Sequence, residues 1–174
     1  MTIMFQNLRH KPRHLHYLVF ICLVGAVLLI WSIFLSLGFP EKLNLLLFIL
    51  LGSIAQAAAT TATIKSKTSV TYAISPAVSL AAVPFYGPAV AVLIEAVTAL
   101  TLWLIKPADS IHWKKSLPQL AFNCAMGTIS ILCGGYVYLW ATDLLGIGTW
   151  VGMVIPWLLA AIVNDQLNLL LLTI

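Results

Sequence analysis

The chain is 174 residues long, 61% hydrophobic and only 8% charged, with a formal net charge of +4. Soluble domains carry about 25% charged residues, so this composition cannot cover a water-facing surface, and a soluble enzyme is excluded. The basic excess is no nucleic-acid signal, because the placement of the charges between apolar runs accounts for it.

Those runs approach the length of about 20 residues that crosses a hydrocarbon core. They lack the alternation of barrel strands, and backbone groups in lipid must pair internally, so helices are expected. Residues 1–16 form a basic segment expected on the cytoplasmic side, with Arg9-His10-Lys11-Pro12-Arg13-His14-Leu15-His16 at its end. Attraction to anionic lipid explains it more simply than a metal site built from its histidines. The first expected span, 17–38, has the positive start of a secretory signal. Phe39-Pro40-Glu41-Lys42 follows it instead of a small-residue cleavage site, so it reads as a retained helix. The second, 43–64, ends at Lys65-Ser66-Lys67.

Residues 68–105 form one nearly uncharged stretch, too long for a single crossing. Pro84-Phe85-Tyr86-Gly87-Pro88 near its middle suits a tight turn. The stretch therefore divides into spans 68–85 and 88–105, each roughly 27 Å long at the helical rise. Spans 117–140 and 150–172 complete an all-α, polytopic bundle of about six transmembrane helices occupying residues 17–174. The end at Leu170-Leu171-Leu172-Thr173-Ile174, without a polar tail, suits either a natural stop or, as the preferred reading, an incomplete chain.

Charge placement supports this division. With six spans, Arg9, Lys11, Arg13, Lys65, Lys67, Lys106, Lys114 and Lys115 share one side, and only Lys42 lies on the other. Cytoplasmic loops carry the excess of Lys and Arg, so both termini are expected in the cytoplasm. Fusing 68–105 into one span would destroy the asymmetry. Aromatic residues follow the same division, with Tyr17, Trp103 and Trp113 at the inner interface and Tyr86, Trp140 and Trp150 at the outer one.

Polar side chains inside a membrane usually face the bundle interior. Gln119, Asn123, Gly127, Ser130, Gly134 and Tyr138 recur every three or four residues and form one helix face. Thr71, Ser75 and Ser79 form another, and Gln56, Thr60 and Thr63 a third, where Ala55, Ala58, Ala59 and Ala62 add small-residue spacing. Such faces make close helix seams; the same residues can instead line a ligand cavity. Two carboxylates lie within spans. Glu95 shares a face with Pro88, Ala91, Thr98 and Leu102, and Asp165 neighbours Asn164 and Asn168. An intramembrane carboxylate is a functional-site hypothesis by default. Glu95, Gln119, Asn123 and Asp165 are the candidate ligand or interior polar residues. The competing role for Glu95 is structural, through hydrogen bonds to Asn123 or Gln119.

Cys22, Cys124 and Cys133 fall within spans without paired spacing and read as inert thiols. His112 beside Trp113 reads as interfacial. No phosphate loop, HExxH, CxxC or nucleophile elbow is present. Neither a catalytic residue, a metal site nor a cofactor is expected.

From about Ser69 onward the order of features resembles the N-terminal multi-helix membrane regions that precede cytoplasmic HD-GYP or GGDEF signalling domains in bacteria. The resemblance rests on Phe85-Tyr86-Gly87-Pro88 before an Ala-rich helix, a basic loop ending in Trp113-Lys114-Lys115, Phe122-Asn123, Gly134-Gly135-Tyr136-Val137-Tyr138, and Asn164. It implies a sensory or anchoring module in the bacterial inner membrane, attached to a domain that turns over a cyclic dinucleotide. The partners expected of the chain are the lipid bilayer, a small-molecule signal and a second copy of the chain. No HD, HD-GYP or GGDEF sequence is present, so no catalytic residue transfers. The chain is also similar in length to the six-helix substrate-binding subunits of vitamin transporters. There, however, the Ala-x-x-x-Ala docking seam lies in the first span; here Ala58 and Ala62 lie in the second.

Overall fold

The computed structural model describes residues 12–38, 40, 42–66, 75–105, 116–146 and 149–173, with the backbone alone for 12–14 and 59–66. These residues form an all-helical structure of five helices: α1 (Pro12–Leu37), α2 (Lys42–Ser66), α3 (Ser75–Ile105), α4 (Leu117–Leu145) and α5 (Trp150–Thr173). In α1 from Leu15, and in α3, α4 and α5, the helix is long and apolar enough to cross a membrane. The apolar part of α2, Lys42–Ala58, is shorter.

Helix α3 is not one rod. Gly87 interrupts it with φ 79° and ψ 172°, a conformation open to glycine because it has no Cβ. Pro88 follows, and proline is well suited to the first turn of a helix, where its missing N–H would be unpaired anyway. The consequence is visible in one bond. Ser79 Oγ donates to Glu95 Oε2 at 2.8 Å across 16 residues of sequence. In an uninterrupted helix those residues would be separated by about 24 Å. The segment therefore folds back on itself, with a first limb over 75–86 and a second over 88–105. Val83 packs in one cluster with Ala91 and Val92, and Ala82 in another with Val90 and Ile94, as facing limbs require.

The remaining helices pack around this hairpin. Phe48 of α2 meets Phe85 and Tyr86 at the turn, with ring centroids 6.4 and 5.4 Å away. Farther along α2, Thr101 Oγ1 donates to Ser53 Oγ at 3.3 Å. Gly127 of α4 lies opposite Glu95, and Gly135 opposite Pro88, so α4 runs antiparallel to the second limb. Gly134 packs on Ala160, while Ser130 bonds Asn168, so α5 runs antiparallel to α4. Helix α1 follows α4 in the same direction, with Ile21 packed against Phe122 and Gly25 against Ala125. Tyr17 Oη donates to the Leu171 carbonyl at 2.9 Å and joins the beginning of α1 to the end of α5.

Polarity runs opposite to that of a soluble domain. Ser32, Gln56, Ser79, Thr98, Thr128, Ser130 and Asn164 are buried, while Phe20, Val27, Phe34, Leu43, Leu47 and Leu158 are exposed. Water would not tolerate such a surface, but hydrocarbon suits it, since polar groups in lipid are driven to the bundle interior.

Two boundaries differ from the hydropathy reading. Helix α1 begins at Pro12, five residues before the expected start at 17, because a helix can continue beyond the apolar run that crosses lipid. Helix α4 continues past 140 to Leu145, where Gly146 stops it at φ 73° and donates its N–H to the Thr142 carbonyl. Glycine just past a helix end is a standard stop; the apolar span expected over 117–140 ends roughly one turn earlier. The side chains of Arg9, Lys11, Arg13, Thr60, Thr63, Lys65, Lys67, Thr71, Lys106, His112, Trp113, Lys114 and Lys115 lie outside the described residues, as does the expected start of the third span at 68.

Candidate functional site

Glu95 lies on the second limb of α3 at 8% exposure. Both carboxylate oxygens are engaged by the first limb: Ser75 Oγ donates to Oε1 at 3.1 Å, and Ser79 Oγ to Oε2 at 2.8 Å. The two serines are one helical turn apart and project from one face, so a single carboxylate spans both. The Ser75 N–H, at the start of α3, has no carbonyl four residues back within the helix. It donates instead to Gln56 Oε1 of α2 at 3.2 Å. Gln56 is buried at 1% exposure. One turn beyond Glu95, Thr98 is also buried and donates to the Glu95 carbonyl at 2.8 Å.

Helix α4 closes this site with a glycine. A Cβ built on Gly127 would stand 3.1 Å from Glu95 Cγ and 3.5 Å from its Oε1. The absent side chain lets α4 approach the carboxylate-bearing side chain closely. Glu95 thus joins the two limbs of α3, is linked through Ser75 to α2, and is covered by α4. Among the described residues no lysine or arginine forms an ion pair with it. Its polar partners are neutral hydroxyls.

The other sequence candidates lie elsewhere. Gln119 is half-buried in the first turn of α4, and its backbone N–H is capped by Ser116 Oγ at 3.3 Å. Asn123 is half-buried, one turn before Gly127. Neither hydrogen-bonds Glu95, whose side-chain bonds go to Ser75 and Ser79. Asp165 is exposed on α5 and accepts from Asn164 Nδ2 at 3.3 Å. A second polar contact joins α4 to α5, where Ser130 Oγ donates to Asn168 Oδ1 at 3.1 Å. Asn164 is 1% exposed, and its Oδ1 has no hydrogen-bond partner among the described residues.

The serine partners of Glu95 had a sequence signal that face-by-face reading misses. Ser79 and Glu95 are each eight residues from Gly87. Once the turn is centred on that glycine, an antiparallel pairing brings them level. Among the described residues, no group of three or more His, Cys, Asp or Glu side chains is arranged to hold a metal ion.

Comparison with protein-family models, with curated proteins and with solved structures returns no match. Function therefore has to be argued from the buried carboxylate and the packing around it.

Proposed function

We propose that this chain is a six-span module of a bacterial inner membrane that senses or anchors for a cytoplasmic cyclic-dinucleotide signalling domain. The observation that carries the architecture is the Ser79–Glu95 bond across Gly87. The fold-back supports reading 68–105 as two crossings, and on that reading the total is six and both termini share a side. The loops of that side carry eight of the nine basic residues, which makes it cytoplasmic by the positive-inside rule. The signalling role is supported by the resemblance carried by residues 85–88, 113–115, 122–123, 134–138 and 164. It also draws on the position of Glu95 at the joint of α2, α3 and α4.

In this reading a small-molecule signal shifts the packing at that joint by binding one arrangement of the helices better than another. Differential affinity is the only means by which a ligand moves such an equilibrium. Reporter insertions test the topology. Insertions after Pro40, Gly87 and Gly148 are expected to report the outer face, and those after Lys67 and Ser110 the cytoplasm. An inner location at Gly87 would overturn the six-span arrangement. The output half is tested by reading the gene beyond the codon of Ile174. An open frame entering an HD-GYP or GGDEF domain supports it. A stop codon overturns it, and a rise in melting temperature with a vitamin-like molecule would then favour a transporter's binding subunit.

A further inference from the structure

Two polar side chains lie on the wrong side of α5. Asp165 and Gln166 are both exposed, although the helix they occupy is apolar enough to span a membrane. Asp165 is eight residues from the end of α5 at Thr173, or about 12 Å along the axis. A hydrocarbon core takes about 20 residues of a helix. Centred on the 24 residues of α5, it places Asp165 and Gln166 roughly one and a half turns from the interface. Lysine and arginine can snorkel from such depth on their long stems, whereas an aspartate cannot. An exposed carboxyl group there is costly unless another protein surface covers it.

The neighbouring side chains indicate what covers it. Ile155, Leu158, Ile162 and Leu169 are exposed on α5, and with Asp165 they are spaced 3, 4, 3 and 4 residues apart. That is the seam of a left-handed helix pair, in which one polar position sets the register. Gln166 adds two N–H donors beside the acceptor oxygens of Asp165. A surface with donor and acceptor side by side is complementary to its own copy about a two-fold axis, the isologous contact of symmetric dimers.

We infer that the Ile155–Leu169 face of α5 is the interface with a second copy of this chain. Asp165 of one copy hydrogen-bonds Gln166 of the other, and the reverse. The inference rests on the membrane placement of α5 in the proposed function but not on a signalling role.

The test uses the full chain in native membranes, with Cys22, Cys124 and Cys133 replaced by alanine. Under mild oxidation, Ile162→Cys and Leu169→Cys are expected to give disulfide-linked dimers. Val27→Cys, exposed on α1, is expected to give none. Adding Asp165→Leu should reduce the Ile162→Cys dimer by about threefold or more, the scale of a lost interhelical hydrogen bond. Absence of crosslinking at both α5 positions would overturn the inference, as would equal crosslinking at Val27→Cys or no response to Asp165→Leu. Those results would leave the six-span topology and the reading-frame test untouched, so the two readings fail separately.

Discussion

Replacing Gly25 with alanine is expected to destabilise the bundle severely, lowering its thermal unfolding midpoint in detergent well below that of Gly38→Ala. A Cβ built on Gly25 overlaps the Cβ, the Cα and the carbonyl carbon of Ala125 on α4. At Gly38 it meets nothing within 4 Å. Forcing extra methyl groups into a packed interior typically costs about 1–3 kcal/mol. Gly25 belongs at or above the top of that range, because the obstructing atoms include backbone. A side chain can change rotamer, but α4 can yield only by moving as a helix. It is held at that level by Ile21 against Phe122 and, through α5, by Tyr17 on the Leu171 carbonyl. Ala125→Gly should therefore restore only part of the loss, since the Ala125 Cα remains. Equal midpoints for Gly25→Ala and Gly38→Ala would show that α1 does not rest on α4 as described.

Much of this architecture is legible in the sequence because lipid imposes a simple rule. Apolar runs of sufficient length must be helices, and α1, α4 and α5 follow from hydropathy with only their ends displaced. The turn at Gly87 was also readable, since Pro84, Gly87 and Pro88 mark the one place where the 68–105 stretch can reverse. Burial within the bundle followed helical spacing, so Gly127, Ser130 and Gly134 lie inside as their periodicity suggests. Pairing between helices was harder to read. Spacing along one helix shows which residues share a face, but not which helix that face meets. Helical spacing offers Asn123 and Gln119 as partners for Glu95, because both lie on the polar face of the next span. The fold-back placed Ser75 and Ser79 against it first. Asp165 presents the opposite problem. Its neighbours Asn164 and Asn168 suggested an interior position, yet Asn164 is buried while Asp165 is exposed. Adjacent residues on a helix are about 100° apart, so one can face the interior while the next faces outward.

Substitutions around Glu95 are expected to rank in an order that bulk hydrophobicity would not give. Glu95→Gln should change stability by less than about 1 kcal/mol, because the carboxamide keeps an acceptor oxygen for one serine and its N–H can donate to the other hydroxyl. Glu95→Leu should cost more, but moderately. It leaves Ser75 and Ser79 without their acceptor, yet Ser79 can turn its hydroxyl to the Ser75 carbonyl four residues back in α3. The double variant Ser75→Ala and Ser79→Ala should be the worst of the three, although it makes the interior more apolar. It strips both hydrogen-bond partners from a buried carboxyl group, and each lost partner costs about 1–3 kcal/mol. Thermal midpoints of the purified variants in detergent measure this order. A double serine variant as stable as the parent would remove Glu95 from the joint between the limbs. The same variants separate packing from signalling. Glu95→Gln preserves the joint, so, under the proposed signalling role, a fall in signal response at unchanged stability would assign the carboxyl group to signal recognition. Unchanged signalling would leave it as the clasp that holds α3 folded at Gly87.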